Sequence, residues 1–104
     1  MRERDIERYL CKKIKVLGGE VRKVKWIGRR GAPDRVVMLT GTWCGFDSAG
    51  GFWASPRTIW VELKAPGKKA EPHQLREHKR MQAMGQRVEV IDSFEGVDKL
   101  LGAG

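Results

Sequence analysis

Apolar residues recur at three- and four-residue steps near the start of the chain. Ile6, Leu10, Ile14 and Leu17 form one stripe of a helix predicted over residues 2–17. Gly18-Gly19 ends it, because glycine tolerates a left-handed C-cap. From Glu20 to Ile27 the pattern changes: Val21, Val24 and Trp26 alternate imperfectly with basic residues, which predicts a short strand. Asp34 to Thr40 reads as a second strand. In Ile59 to Lys64 the alternation is strict, with Ile59, Val61 and Leu63 on one face and Trp60, Glu62 and Lys64 on the other. A helix is predicted from Pro72 to Met84, since proline suits a first turn and Gly85 follows. Gln74, His78 and Met81 share one face of it. Arg87 to Ile91 alternates again. Ser93 is a good N-cap for a last helix carrying Phe94, Val97, Leu100 and Leu101. The order helix, three strands, helix, strand, helix predicts an α/β fold, a mixed β-sheet flanked by helices.

Residues 41–57 fit none of these periods well. Gly41, Gly45, Gly50 and Gly51 punctuate Trp43, Phe46, Phe52 and Trp53. The expectation is an elongated hairpin with its tip near residues 47–50. Four aromatic residues so close together need a surface to cover. It can be the domain's own core, a second subunit or nucleic-acid bases, the first two being the more common.

Composition narrows the partners. With 104 residues the chain is expected to form one domain, 1–104, around one core. Its 21 Lys and Arg exceed 13 Asp and Glu, a net charge of +8 that favours polyanions, above all nucleic acid. Cys11 and Cys44 are isolated, without the spacing of a zinc site, and no disulfide is expected. No apolar run approaches the roughly 20 residues of a membrane span. The charged start leads into no signal-peptide core. An intracellular, cytoplasmic protein with no membrane partner and no small-molecule cofactor is expected.

The candidate chemistry lies where strands carry charge. Glu62 and Lys64 point the same way, roughly 6–7 Å apart along the strand. Upstream, Ala32-Pro33-Asp34 opens the preceding strand, so the order is PD…ExK. Phosphodiester hydrolysis drives an anionic nucleophile into an anionic centre, and a divalent ion helps by polarising phosphoryl oxygens and activating water. Mg²⁺ takes hard oxygen ligands, one or two carboxylates with water and substrate phosphate. Asp34 and Glu62 can supply the carboxylates and the backbone carbonyl of Leu63 a third oxygen. Lys64 would stabilise the attacking hydroxide. Gln74 could orient the nucleophile or Lys64. Glu7 lies at the border of the apolar stripe of the first helix. It could hold the metal through water, hold a second metal, or form a surface ion pair with Arg4. Glu3 falls within that stripe one turn earlier. Arg29 and Arg30, between Gly28 and Gly31, suit approach to a phosphate but equally fit a solvated turn. Arg35, Lys68 and Lys69 complete the candidate nucleic-acid contacts. His73 and His78 are five residues apart, hence on different helix faces, and surface roles are expected for both.

Taken together the chain resembles the VRR-NUC (virus-type replication-repair nuclease) branch of the PD-(D/E)xK superfamily. The likeness is carried by Glu3-Arg-Asp-Ile-Glu-Arg-Tyr-Leu10, Gly28-Arg-Arg-Gly-Ala-Pro-Asp-Arg35, Val61-Glu-Leu-Lys-Ala-Pro-Gly-Lys68, and Gln74 through Ser93. It covers nearly everything but residues 41–57, a segment longer than the brief turn expected there. The resemblance implies a restriction-endonuclease-like core and a small stand-alone enzyme, phage- or prophage-encoded, working as a homodimer. It also implies a Mg²⁺- or Mn²⁺-dependent DNA endonuclease, some relatives of which cut branched DNA such as four-way junctions. By position it places the family's catalytic set on Glu7, Asp34, Glu62, Lys64 and Gln74. Two other readings compete: a non-catalytic nucleic-acid-binding module on the same fold, and a protein-interaction domain docking through its aromatic segment.

Overall fold

The computed structural model describes the backbone of residues 1–46 and 52–102 and the side chains of residues 1–39 and 57–101. Seven elements follow the expected order: α1 Glu3–Val16, β1 Glu20–Lys23, β2 Arg35–Phe46, β3 Phe52–Leu63, α2 Pro72–Ala83, β4 Val88–Ile91 and α3 Phe94–Gly102. The sheet runs β1-β2-β3-β4, antiparallel through β3, with β4 parallel to β3. A parallel neighbour requires a crossover, and α2 supplies it.

The strict alternation of β3 divides the molecule. Val37, Leu39, Ile59, Val61 and Leu63 join Ile6, Leu10 and Ile14 of α1 and Val97 and Leu100 of α3 in one buried cluster. α1 and α3 therefore cover one face of the sheet. Their contact is closed by Tyr9, whose ring stacks on Phe94 at 4.4 Å and whose hydroxyl donates to Asp98 at 2.6 Å. Trp60 and Glu62 point the other way, and there His78 of α2 meets Glu62. The backbone N–H of Gly96 donates to Ser93 Oγ at 2.9 Å, the N-cap that the sequence predicts for α3.

Two boundaries differ from expectation. β1 stops at Lys23 rather than Ile27. Its partner strand begins at Arg35, and the last rung is Val24 N–H donating to the Asp34 carbonyl at 2.9 Å. Beyond it stands Pro33, which has no N–H to offer a ladder. The chain turns away instead, and Trp26 Nε1 donates to the Pro33 carbonyl while its ring lies 5.4 Å from that of Trp60. β2 and β3 run on as single strands into the hairpin rather than ending near Thr40 and Ile59, pairing as far as Phe46 with Phe52. This is the elongated hairpin expected of residues 41–57, although its tip at 47–51 lies outside the described residues. Two irregularities interrupt it, between Leu39 and Thr42 and between Trp43 and Gly45, each giving β2 one more residue than β3.

Candidate active site

Strand register brings the PD…ExK residues together. Arg35 faces Val61 in the antiparallel pair. Continuing the register by one residue sets Asp34 opposite Glu62, and directly opposed side chains share a face with Cβ atoms about 5 Å apart. The Asp34 charge accordingly acts on Glu62, as does that of Lys64, which follows β3 and is fixed by its N–H donating to the Ile91 carbonyl at 2.9 Å. Asp34, Glu62 and Lys64 thus gather at one end of the sheet.

Glu62 is the unusual member. Only 6% exposed, it has its pKa raised to about 7, first by burial and then by the Asp34 carboxylate, with Lys64 opposing. Its Oε1 has no hydrogen-bond partner. The facing atom, His78 Nε2 at 3.6 Å, has none either, and that separation is too long for a hydrogen bond. Burial holds the His78 pKa below its ordinary value, Glu77 opposing and Lys64 assisting. The expectation of a surface role for His78 is therefore corrected: it is 4% exposed. The available signal was its place on the same helix face as Met81, itself buried.

Other candidates make contacts of their own. Glu7 accepts from Arg35 and lies 3.9 Å from Lys23, so its partner is not Arg4. Arg35, expected to reach nucleic acid, is instead 8% exposed and bridges Glu7 and Asp34. Parity explains both, since Arg35 opposes Val61 on the face that α1 covers. The α1 carboxylate whose charge raises the Glu62 pKa is Glu3, one turn before Glu7. Gln74 Oε1 accepts the Glu71 backbone N–H at 2.8 Å, capping the start of α2. Arg29 Nε donates to Glu77 at 2.9 Å, while Arg30, Lys68 and Lys69 are exposed. Leu63 buries its side chain, and its carbonyl lies one residue beyond Glu62.

The residues fit a hard divalent cation. A buried carboxylate oxygen without a partner, beside a second carboxylate, is the donor set Mg²⁺ or Mn²⁺ prefers. Among the described residues no three His, Cys, Asp or Glu side chains cluster into an all-protein cage. Two carboxylates completed by water and substrate phosphate is the arrangement Mg²⁺ usually takes.

A four-stranded mixed sheet between helices, with Asp34 entering one central strand and Glu-x-Lys ending the next, defines a PD-(D/E)xK nuclease fold. No family model matches the chain. It is, however, 41% identical over 93 residues to "Putative nuclease p44" of Acyrthosiphon pisum secondary endosymbiont phage 1, covering 89% of this chain and 85% of that one. It is also similar to a solved VRR_NUC domain, with a TM-score of 0.71 and 38% identity over 95% of this chain and 92% of the other. The chain belongs to the VRR-NUC family of nucleases.

Proposed function

We propose that this nuclease is a Mg²⁺- or Mn²⁺-dependent DNA endonuclease whose metal site is built on Asp34 and Glu62. The single observation that carries the reading is the unpartnered, buried Oε1 of Glu62 set across the strand pair from Asp34. When bound, the cation would polarise the phosphoryl oxygens and lower the pKa of its water. Asp34, Glu62 and the Leu63 carbonyl would hold it. Lys64, on the Glu62 side of β3, would place a positive charge where hydroxide and extra phosphoryl charge develop. His78, itself buried, closes the inner side of Glu62. On α1 we assign Glu3 to the outer edge of the site, because its charge acts on Glu62, whereas Glu7 reaches the site only through the Arg35 guanidinium it shares with Asp34. Gln74 acts through the N-terminus of α2, which it caps.

DNA is the proposed substrate on the strength of the net +8 charge and the nuclease relative. A homodimer is proposed as the working form. The β2–β3 hairpin extends well past the four-residue strands beside it, an arm suited to embracing a second copy. Two cleavage centres related by a two-fold axis suit branched DNA. Among the described residues no helix is long and apolar enough to cross a membrane.

The test is a cleavage panel of linear, nicked, flapped and four-way DNA with Mg²⁺, Mn²⁺ or chelator, with sedimentation of the same samples. Metal-dependent nicks with preference for branched substrates, from a particle of twice the chain mass, are expected. Undiminished cleavage by Glu62→Ala would remove the site assignment. DNA binding without products in any metal would point instead to a non-catalytic module.

A further inference from the structure

Beside the PD…ExK site, on the next face of α2, lies a basic cavity of about 290 Å³. Its walls are Arg29 and Arg30 from the loop before β2, and His73, Arg76 and Arg80 from α2. The three helix residues stand at i, i+3 and i+7, one face of α2. The loop is held against that face. Gly31, at φ +88°, lies so close that a Cβ there would approach the His73 carbonyl oxygen to 2.6 Å.

Glu77 fastens the wall. Only 7% exposed, it accepts from Arg29 Nε at 2.9 Å and lies 3.8 Å from Arg80 Nε, and the Arg29 hydrogen bond lowers its pKa. One carboxylate thus faces four guanidinium groups, leaving a surplus of positive charge in a concave space. Guanidinium forks match phosphate oxygens in pairs, which ammonium groups cannot do. At roughly 30 Å³ per water the cavity has room for a phosphate group and its hydration. A solvated charge run needs no such concavity, no buried anchor and no close-docked glycine.

We propose that this cavity binds a backbone phosphate of the DNA substrate other than the scissile one, with Arg76 and Arg80 as its principal contacts. The proposal rests on the nuclease reading above and extends it. Glu77 and His78 are consecutive on α2; the first serves the cavity and the second touches Glu62. One helix therefore carries both, about 100° apart around its axis, and sets the distance between cavity and metal site. A ligand that occupies both must carry at least two phosphates, as a nucleic-acid strand does and inorganic phosphate does not.

The experiment compares wild type, Arg76→Ala/Arg80→Ala, and Lys12→Ala/Lys15→Ala, a control losing equal charge from α1. DNA affinity is measured by anisotropy across a salt series, in Glu62→Ala protein to prevent cleavage, and kcat and KM are measured without that substitution. The arginine double variant should lose about two units of the salt slope. It should raise KM several-fold with kcat and the Mn²⁺-induced shift in melting temperature retained, whereas the lysine control should change much less. An unchanged slope, an effect no larger than the control's, or a lost Mn²⁺ shift would overturn the proposal. So would inorganic phosphate displacing the DNA at equal concentration of phosphate groups. Were no cleavage found at all while the slope still fell by two, the nuclease reading would fail and the phosphate cavity would stand.

Discussion

The two faces of the sheet are built on opposite rules. On the α1–α3 side, Val37, Ile59 and Val61 are wholly buried among aliphatic neighbours, and the charges at its margin, Arg35 and Glu7, neutralise each other. On the α2 side, Glu62 and His78 are nearly as buried yet leave Oε1 and Nε2 without partners. The first face also leaves a buried polar atom, Arg35 Nε, without a partner, but two carboxylates answer the charge of its group. The second keeps a carboxylate where burial penalises its charge, the kind of cost that functional sites carry and cores avoid.

The most severe way to break this contrast is to neutralise the carboxylate. Glu62→Gln should lower kcat on the order of 10³-fold, because it removes a ligand from the proposed cation site. It should also leave the melting temperature equal or higher, since it relieves a buried charge. A kinetic assay and a thermal scan of the same sample check both, and a destabilised Gln variant would mean that Glu62 is structural.

On the other face the sign reverses. Ile59→Ala should cost about 2–5 kcal/mol in denaturant unfolding, from lost burial and the cavity left behind. The surviving folded fraction should cut at the wild-type rate per molecule.

Acidity distinguishes the faces without mutation. The Glu62 pKa is about 7 in the folded chain against 4.5 ordinarily, so its neutral form is the one folding favours. The associated stability is present below about pH 4.5 and disappears as pH rises through 7, a loss of roughly 3 kcal/mol. His78 works in the opposite sense: its lowered pKa gives stability above 6.5 that is lost as pH falls through its folded value. Melting temperatures in chelator should therefore decline as pH rises toward 7 and level off above it, His78 offsetting part of the decline below pH 6.5. Mn²⁺ should flatten or reverse that decline, and Glu62→Gln should abolish it.

The smallest effect separates the two α1 carboxylates. Glu7→Gln should cost about 1–3 kcal/mol through its lost charge-assisted bond with Arg35 while sparing the Mn²⁺-induced shift. Glu3→Gln, at an exposed position, should spare stability and weaken the Mn²⁺ shift. The reverse pattern would return Glu7 to the metal site.

Much of this is legible in the sequence alone. Period-two alternation at Ile59–Lys64 named both the core face and the charged face of β3, and the Glu62–Asp34 pairing needed only the register that follows. What failed depended on contacts between elements. Glu7 and Arg35 sit 28 residues apart in sequence, and nothing local reveals that they neutralise each other. His78 was legible as sharing the Met81 face, yet only the seating of α2 on β3 shows that this face is closed against Glu62. Nothing local in the sequence sets Arg76 and Arg80 apart from a solvated helix surface; the Gly28–Gly31 loop lying beside them does.

The two irregularities in the hairpin arm bear on how this nuclease can vary. Each inserts one residue on one strand, and together they amount to a full side-chain repeat, so inward and outward positions agree again on either side of them. The pairing at Arg35–Val61 is thereby in phase with the pairing farther out. A distal hairpin of another length, paired through the same two irregularities, would leave Asp34 and Glu62 facing each other in the proposed site.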